Sequence, residues 1–510
     1  MGSRAARAPV FKPYTQSQPS LLPPSLDELV SASHPVRVVN SVVDSLDLST
    51  LYSAYAGGGT SAYHPSMLLK VVVYAYLRNV YSSRKMEEAL GENIHFMWLS
   101  GSSRPDHNTL ARFRSGPLKK GLREVFSQVV VLLSESGLVS LEESFVDGTK
   151  LEASAGRYTF VWGRSIKTNK TKMLARVNEL LAYADEVLES EEKTPPLVFE
   201  EISPEKVKAV AASISERLKD RIVPKETCAK LKQVTQEYPD RLARYEEQER
   251  ILDGRNSYSK TDHDATFMRM KEDHMGNGQL KPGYNLQVSA ENGFVTHFSV
   301  HPNPTDTLTL VPHLLGAKDE LGKSAENVTA DAGYGSEENY AFLEERKVAA
   351  YVKHPRFHRE QHGKTKRFDS ATWPHEPETD TLTCPAGQTL SRTSTWNGRS
   401  PNGYPQTLAI YQASGCAGCP LRAECYKGEE LNREVQVNHK LNEYRKKAGD
   451  LLRSEEGVAR RKRRCYEVET VFAQMKWNKG FRRLLLRGKE KVQTELGLFL
   501  LSMNLAKLAA

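Results

Sequence analysis

At 510 residues the chain is too long for one ordinary domain, and about two to four folded units are expected. Six cysteines in so long a chain are too sparse for a disulfide framework, and the longest apolar run, near Leu496 to Leu501, is far too short to span a membrane. The net charge of +8 is unevenly spread, with a cluster at Arg460-Arg461-Lys462-Arg463-Arg464 and the cations after it, which points to a polyanion partner or, in the bland reading, to a solvated helix face.

Residues 1–24 are rich in Pro, Ser and Ala and read as a disordered tail, without the apolar core of a secretory signal. Residues 25–137 carry helical patterns, including a long apolar helix after Pro65. Asp106 stands as a cap before a basic helix start with Arg112 and Arg114. This region is expected to be a helical domain, either a helix-turn-helix DNA-binding unit or a plain bundle.

Residues 138–510 read as one α/β domain with two inserts. Phe145 and Val146 form a strand that ends in Asp147-Gly148. Residues 166–257 follow as a charged insert, expected to be a long helical hairpin broken at Pro195-Pro196. Strand patterns at 284–289 and 294–300 flank Asn292-Gly293, a hairpin signal. Thr305 or Asp306 is placed to cap a helix reaching Leu321. A strand at 328–331, a helix at 336–346 and a strand at 349–352 follow. A basic and Cys-rich insert spans 354–435, and 490–508 reads as an amphipathic helix. The order is strand, insert, two strands, helix, strand, helix, strand, insert, helix. That is the element order of an RNase H-like mixed sheet, antiparallel among its first strands and parallel afterwards.

Three acids stand out in this order: Asp147 on the first strand, Asp331 at the end of the fourth, and Glu469 on the closing helix. Each alone has a bland reading, as a turn, a loop entry or a surface helix residue. Their joint placement on one sheet edge gives them a common site. Glu467 competes with Glu469, but at 100° per residue the two lie about 200° apart and cannot both face one site. Glu469 shares its face with Lys476 and is preferred.

The segments around Asp147, Asp331 and Glu469, with Gly480-Phe481-Arg482-Arg483, resemble the acidic motifs of bacterial insertion-sequence DDE transposases. Such relatives carry a Tyr and an Arg at set positions before the Glu. Here those positions hold Lys462 and Cys465, leaving Arg463 or Arg464 as the available substitute. The resemblance implies a cytoplasmic, nucleoid-associated bacterial enzyme. It would use two Mg2+ (or Mn2+) ions, held by Asp147, Asp331 and Glu469, to cleave an element's ends and join them to target DNA. It also implies DNA contacts from Lys476, Arg482 and Arg483, with Arg463 or Arg464, and a homodimer when two ends are paired. Two other readings of the residues are a DNA-binding derivative without activity and a nuclease that cleaves without joining.

In the second insert, Cys384 precedes Cys416-Ala417-Gly418-Cys419, and Cys425 follows. One CxxC with two further cysteines fits a tetrahedral structural zinc. The bland reading is a set of reduced cysteines.

Overall fold

The protein is described by a computed structural model over residues 25–55, 61–187, 201–218, 223–270 and 278–510. The expected tail at 1–24 and the break at Pro195-Pro196 lie outside the described residues. Strand β1 (Glu143–Glu152) is the axis of the main sheet, and β2 (Phe160–Trp162) pairs with β3 (Ser257–Ser259) at the base of the first insert. β4 (Thr266–Arg269), β5 (Leu280–Glu291), β6 (Phe294–His301), β7 (Asn327–Ala330) and β8 (Ala349–Val352) complete the sheet. β5 runs antiparallel to β1, and β4 and β6 share its far edge. β7 lies parallel on the opposite edge of β1, with β8 parallel beyond it.

The path β6–β5–β1–β7–β8 is the RNase H-like mixed sheet, and the central strands are buried on both faces because helices cover each. The β5–β6 hairpin turns at Asn292 (φ 52°) and Gly293 (φ 70°), the two left-handed residues that a tight hairpin turn demands.

Several expectations are corrected. β2, β3 and β4 are too short to show an alternating pattern, and they were not anticipated. The helix expected from Thr305 or Asp306 starts at Leu310, since Asp306 Oδ1 instead accepts bonds from Asn285 Nδ2 (2.7 Å) and Gln287 Nε2 (3.0 Å). Among its described residues the first insert has four helices rather than the two of a hairpin: Gly163–Val187, Pro204–Arg217, Lys225–Gln236 and Tyr238–Leu252. Its own core joins Val177, Leu181, Ile214, Val234 and Leu242.

The C-terminal helix, Lys489–Leu508, is not amphipathic. It is buried nearly all round and sits in one core with helices Pro65–Leu77 and Pro117–Glu135 and the inner face of β5 and β6. Its polar groups are satisfied there. Glu495 accepts the Leu485 and Leu486 N–H groups, and Asn504 bonds both the N–H and the carbonyl of Val295. Asp106 caps its helix by accepting the Thr109 N–H at 2.7 Å, as its sequence implied. Arg114 is buried, donating to Tyr76 Oη and the Tyr81 carbonyl, so it adds no charge to an outer face.

The second insert forms a five-stranded antiparallel sheet of β9 (His375–Glu376), β10 (Thr381–Thr383), β11 (Thr389–Arg399), β12 (Pro405–Ala413) and β13 (Glu434–Val437). Helices His439–Arg453 and Glu455–Arg464 return the chain to the main sheet. Among the described residues no helix is long and apolar enough to cross a membrane.

Candidate active site

The register of β1 and β7 sets the first two acids side by side. Val146 pairs with Ala330, so Asp147 and Asp331 are the next residues on parallel neighbours. Asp147 is still within β1, whereas Asp331 is the first residue past β7 and caps a short 3-10 turn. In each, Oδ1 accepts the N–H of the following residue at 2.7 Å. Oδ2 of each turns to a common cation, Arg464, at 3.5 Å from Asp147 and 3.4 Å from Asp331.

Glu469 reaches the same guanidinium, with Oε1 3.4 Å from Arg464 Nη1. The backbone explains how residues five apart meet. Cys465–Glu469 is a π-helical turn, inserted between the α-helix Glu455–Arg464 and the α-turn Thr470–Ala473. In a π-turn the bonding repeat is i to i+5, so one extra residue is absorbed and Arg464 stacks over Glu469. The Arg of the resembled motif falls at Cys465, one residue nearer the Glu. The π-turn offsets that displacement and makes Arg464, rather than Arg463, the cation facing the acids.

Burial is graded across the site. The side chains of Arg464 and Asp147 retain 7% and 12% exposure, while Asp331 and Glu469 keep 50% and 56%. The site is therefore a floor of paired charge with two carboxylates open to solvent. Burial works against the charge on Asp331, yet the Ala332 N–H and Arg464 hold its carboxyl below the usual range. Burial likewise opposes the Arg464 charge, and Asp147, Asp331 and Glu469 overcome it. Three hard oxygen donors turned toward one guanidinium suit magnesium or manganese, although oxygens of all three do not lie within 4.8 Å of one another, so an ion there would have to draw the carboxylates in.

Glu467 lies elsewhere. It is buried, accepting Arg463 Nε at 2.8 Å and the Gly293 N–H at 2.5 Å, and so ties this helix to the β5–β6 turn. Asp306 was missed as a neighbour of the site: Cβ atoms built on Gly148 and Gly333 would lie 2.8 and 3.5 Å from its carboxylate. Those glycines, each adjacent in the chain to a residue of the site or its turn, leave room for this fourth acid. No periodic pattern marks it.

The expected DNA contacts divide in two. Arg464 and Lys476 are buried, Arg464 among the acids and Lys476 with Nζ 3.2 Å from the Lys150 carbonyl on β1. They are not surface cations, which corrects the sequence reading of both. Arg482 and Arg483 are exposed: Arg482 stacks over Trp477 at 4.4 Å, and Arg483 Nε lies 3.6 Å from Glu152. Arg463 is part-exposed and lies over Phe145. The segment after the helix is fixed beside the C-terminal end of β1 by the Leu484 N–H bond to the Glu152 carbonyl at 2.9 Å.

Cys384, Cys416, Cys419 and Cys425 line one small cavity in the second insert. The donor set suits a thiolate metal, but no three of the sulfurs lie within 4.8 Å of one another, wider than the ~3.8 Å edge of a zinc–thiolate tetrahedron. Arg433 fills part of the gap, with Nη1 2.9 Å from Cys425 Sγ and its N–H on Cys416 Sγ at 3.4 Å. Cys228 and Cys465 are exposed and free.

Comparison with known families gives two matches. The family described as "Transposase DDE domain" matches residues 383–509, and "Transposase domain (DUF772)" matches residues 24–116. No curated protein matches the chain.

Proposed function

We propose that the chain is an insertion-sequence DDE transposase, in keeping with its matches to two transposase domain families, and that it cleaves the ends of its own element and joins them to target DNA. The observation that carries this reading is that Asp147, Asp331 and Glu469 all face Arg464 at the central β1–β7 pair of the main sheet. Magnesium or manganese bound there supplies Lewis-acid activation of the phosphodiester and of the attacking oxygen.

The protein's own residues prepare the site. Asp147 and Asp331 are oriented by N–H bonds to one oxygen each, which leaves the second oxygen for the cation. Glu469 approaches from the helix side. Arg464 holds the carboxylates together against their mutual repulsion, and is a positioning residue in this account. Arg463, Arg482 and Arg483 bind DNA phosphates along the rim, and Trp477 holds the Arg482 plane. Pairing of two element ends calls for a homodimer.

The test is a DNA substrate carrying the repeats that flank the gene, incubated with magnesium. Joined products support the proposal. Cleavage without joining means a nuclease, and binding without either means a derivative lacking activity.

A further inference from the structure

A second cluster of ligand-type side chains lies in the second insert, away from the three acids. His375 on β9, Asp380 in the β9–β10 turn and His439 at the start of helix His439–Arg453 bring their ligand atoms within 4.8 Å of one another. Among the described residues this is the one such group of His, Cys, Asp and Glu. We propose that His375, Asp380 and His439, with Tyr411 at the fourth corner, form a structural zinc site that clamps the second insert to the helices carrying Arg464 and Glu469.

The geometry is that of convergence on one point. His375 Nε2 lies 3.0 Å from Asp380 Oδ1, and the two imidazole rings are 4.3 Å apart at 39°. The Tyr411 hydroxyl stands 2.5 Å from Asp380 Oδ1, 2.7 Å from His439 Nε2 and 3.3 Å from His375 Nε2. Nitrogen and oxygen ligands at ~2.0–2.1 Å around tetrahedral zinc are separated by ~3.4 Å. The observed edges are equal to that or shorter by less than one ångström, so a small outward movement admits the ion.

Chemistry agrees with geometry. Two imidazoles, a carboxylate and a hydroxyl are a nitrogen–oxygen set that suits zinc. Arg392 Nη1 donates to Asp380 Oδ2 at 2.6 Å, which orients the carboxylate and leaves Oδ1 facing inward, as outer partners of metal ligands do. Asp380 itself sits at φ 47°, a left-handed turn residue that aims its side chain back at the two rings.

The position explains why a clamp is useful. The insert has a small apolar core around Trp373, Leu382, Leu390, Tyr411 and Val435, and most of β11 is exposed. A unit this small commonly needs a staple. His439 opens the helix that packs on β8 and leads into Glu455–Arg464, whereas the other three donors belong to the insert. One ion would therefore join the two parts of the chain.

The experiment is zinc K-edge absorption and metal analysis on the full-length protein. It is run alongside Co2+ exchange, in which a nitrogen–oxygen site gives d–d bands without thiolate charge transfer. The proposal expects about one nitrogen–oxygen-bound zinc per chain, lost in His439→Gln and in Asp380→Asn and kept in Cys416→Ser/Cys419→Ser. Metal bound only through sulfur, or none, in folded wild-type protein overturns it. So does an unchanged nitrogen–oxygen signal in His439→Gln. Should a variant fail to fold, the wild-type spectrum alone decides.

Discussion

Arg464 and Glu469 are five residues apart and face each other at 3.4 Å because the turn between them is π-helical. The extra residue is Cys465 or an equivalent position in the turn. Deleting Cys465 should convert the turn to α-helix and leave Arg464 aligned with the glutamate at the usual i to i+4 spacing. The shortened protein is expected to fold and to retain joining within about tenfold of wild type, on the scale of ~1.4 kcal/mol. Inserting an alanine after Cys465 should rotate Arg464 away and abolish joining. Joining assays on the two length variants check this; equal loss in both would remove the register argument.

Arg464→Ala leaves Asp147, Asp331 and Glu469 without their shared cation. Breaking a buried pair by removing one partner is costly, but two of these carboxylates are half-exposed. A loss of about 1–3 kcal/mol is expected in magnesium-free protein. Added magnesium should recover part of that loss by binding the folded state. Thermal melts of both proteins with and without the ion make the comparison, and a deficit unaffected by magnesium would contradict the role assigned to Arg464.

Acid should destabilise the fold through its buried histidines. Burial, with Lys489, His297 and Arg123 nearby and only Asp306 opposing, lowers His301 to about 4. Its folded value is below the unfolded ~6.5, so the unfolded chain takes the proton first. The stability contributed by neutral His301 is complete above ~6.5 and is lost as pH falls toward 4, by about 3 kcal/mol at most. His354, lowered to about 4 by burial and by Arg445, Arg453 and Arg356, acts in the same window. Melting temperature against pH should fall less steeply in His301→Gln; an unchanged slope would exclude that residue.

Glu495 gives a folding test remote from the acids. Buried in the C-terminal helix, it accepts the Leu485 and Leu486 N–H groups and so holds the arginine-bearing segment in place. Glu495→Ala should cost about 1–3 kcal/mol by leaving those donors without a partner. Denaturant unfolding measures it, and a change under ~0.5 kcal/mol would show the segment is held by other contacts.

The sheet was legible in the sequence because β5 and β6 alternate apolar and polar residues and flank the Asn292-Gly293 turn, whose two residues take the left-handed conformation a tight hairpin needs. The placement of Asp147 and Asp331 followed from strand order alone. What the residues could not show was the phase of the closing helix. A 100° wheel gives no sign of π-turns at Cys465–Glu469 and Gln474–Asn478, although the displaced Arg was a trace of the first. Lys476 and Arg464 were expected to contact DNA, and their burial was not visible because charge patterns carry no burial information, although the displaced motif Arg already pointed to Arg463 or Arg464 beside the acids. His375, Asp380 and His439 were invisible for another reason: they are brought together by β9, a turn and a helix start, with no spacing motif.

The central claim is that Glu469, and not Glu467, completes the set with Asp147 and Asp331. The most direct measurement is magnesium-dependent joining of terminal-repeat DNA by Glu469→Gln and Glu467→Gln, normalised to folded protein. Glu469→Gln is expected to bind DNA without joining it. Glu467→Gln, which loses charge-assisted bonds from Arg463 and Gly293, should be less stable yet join DNA. Joining by Glu469→Gln with loss in Glu467→Gln would contradict the account.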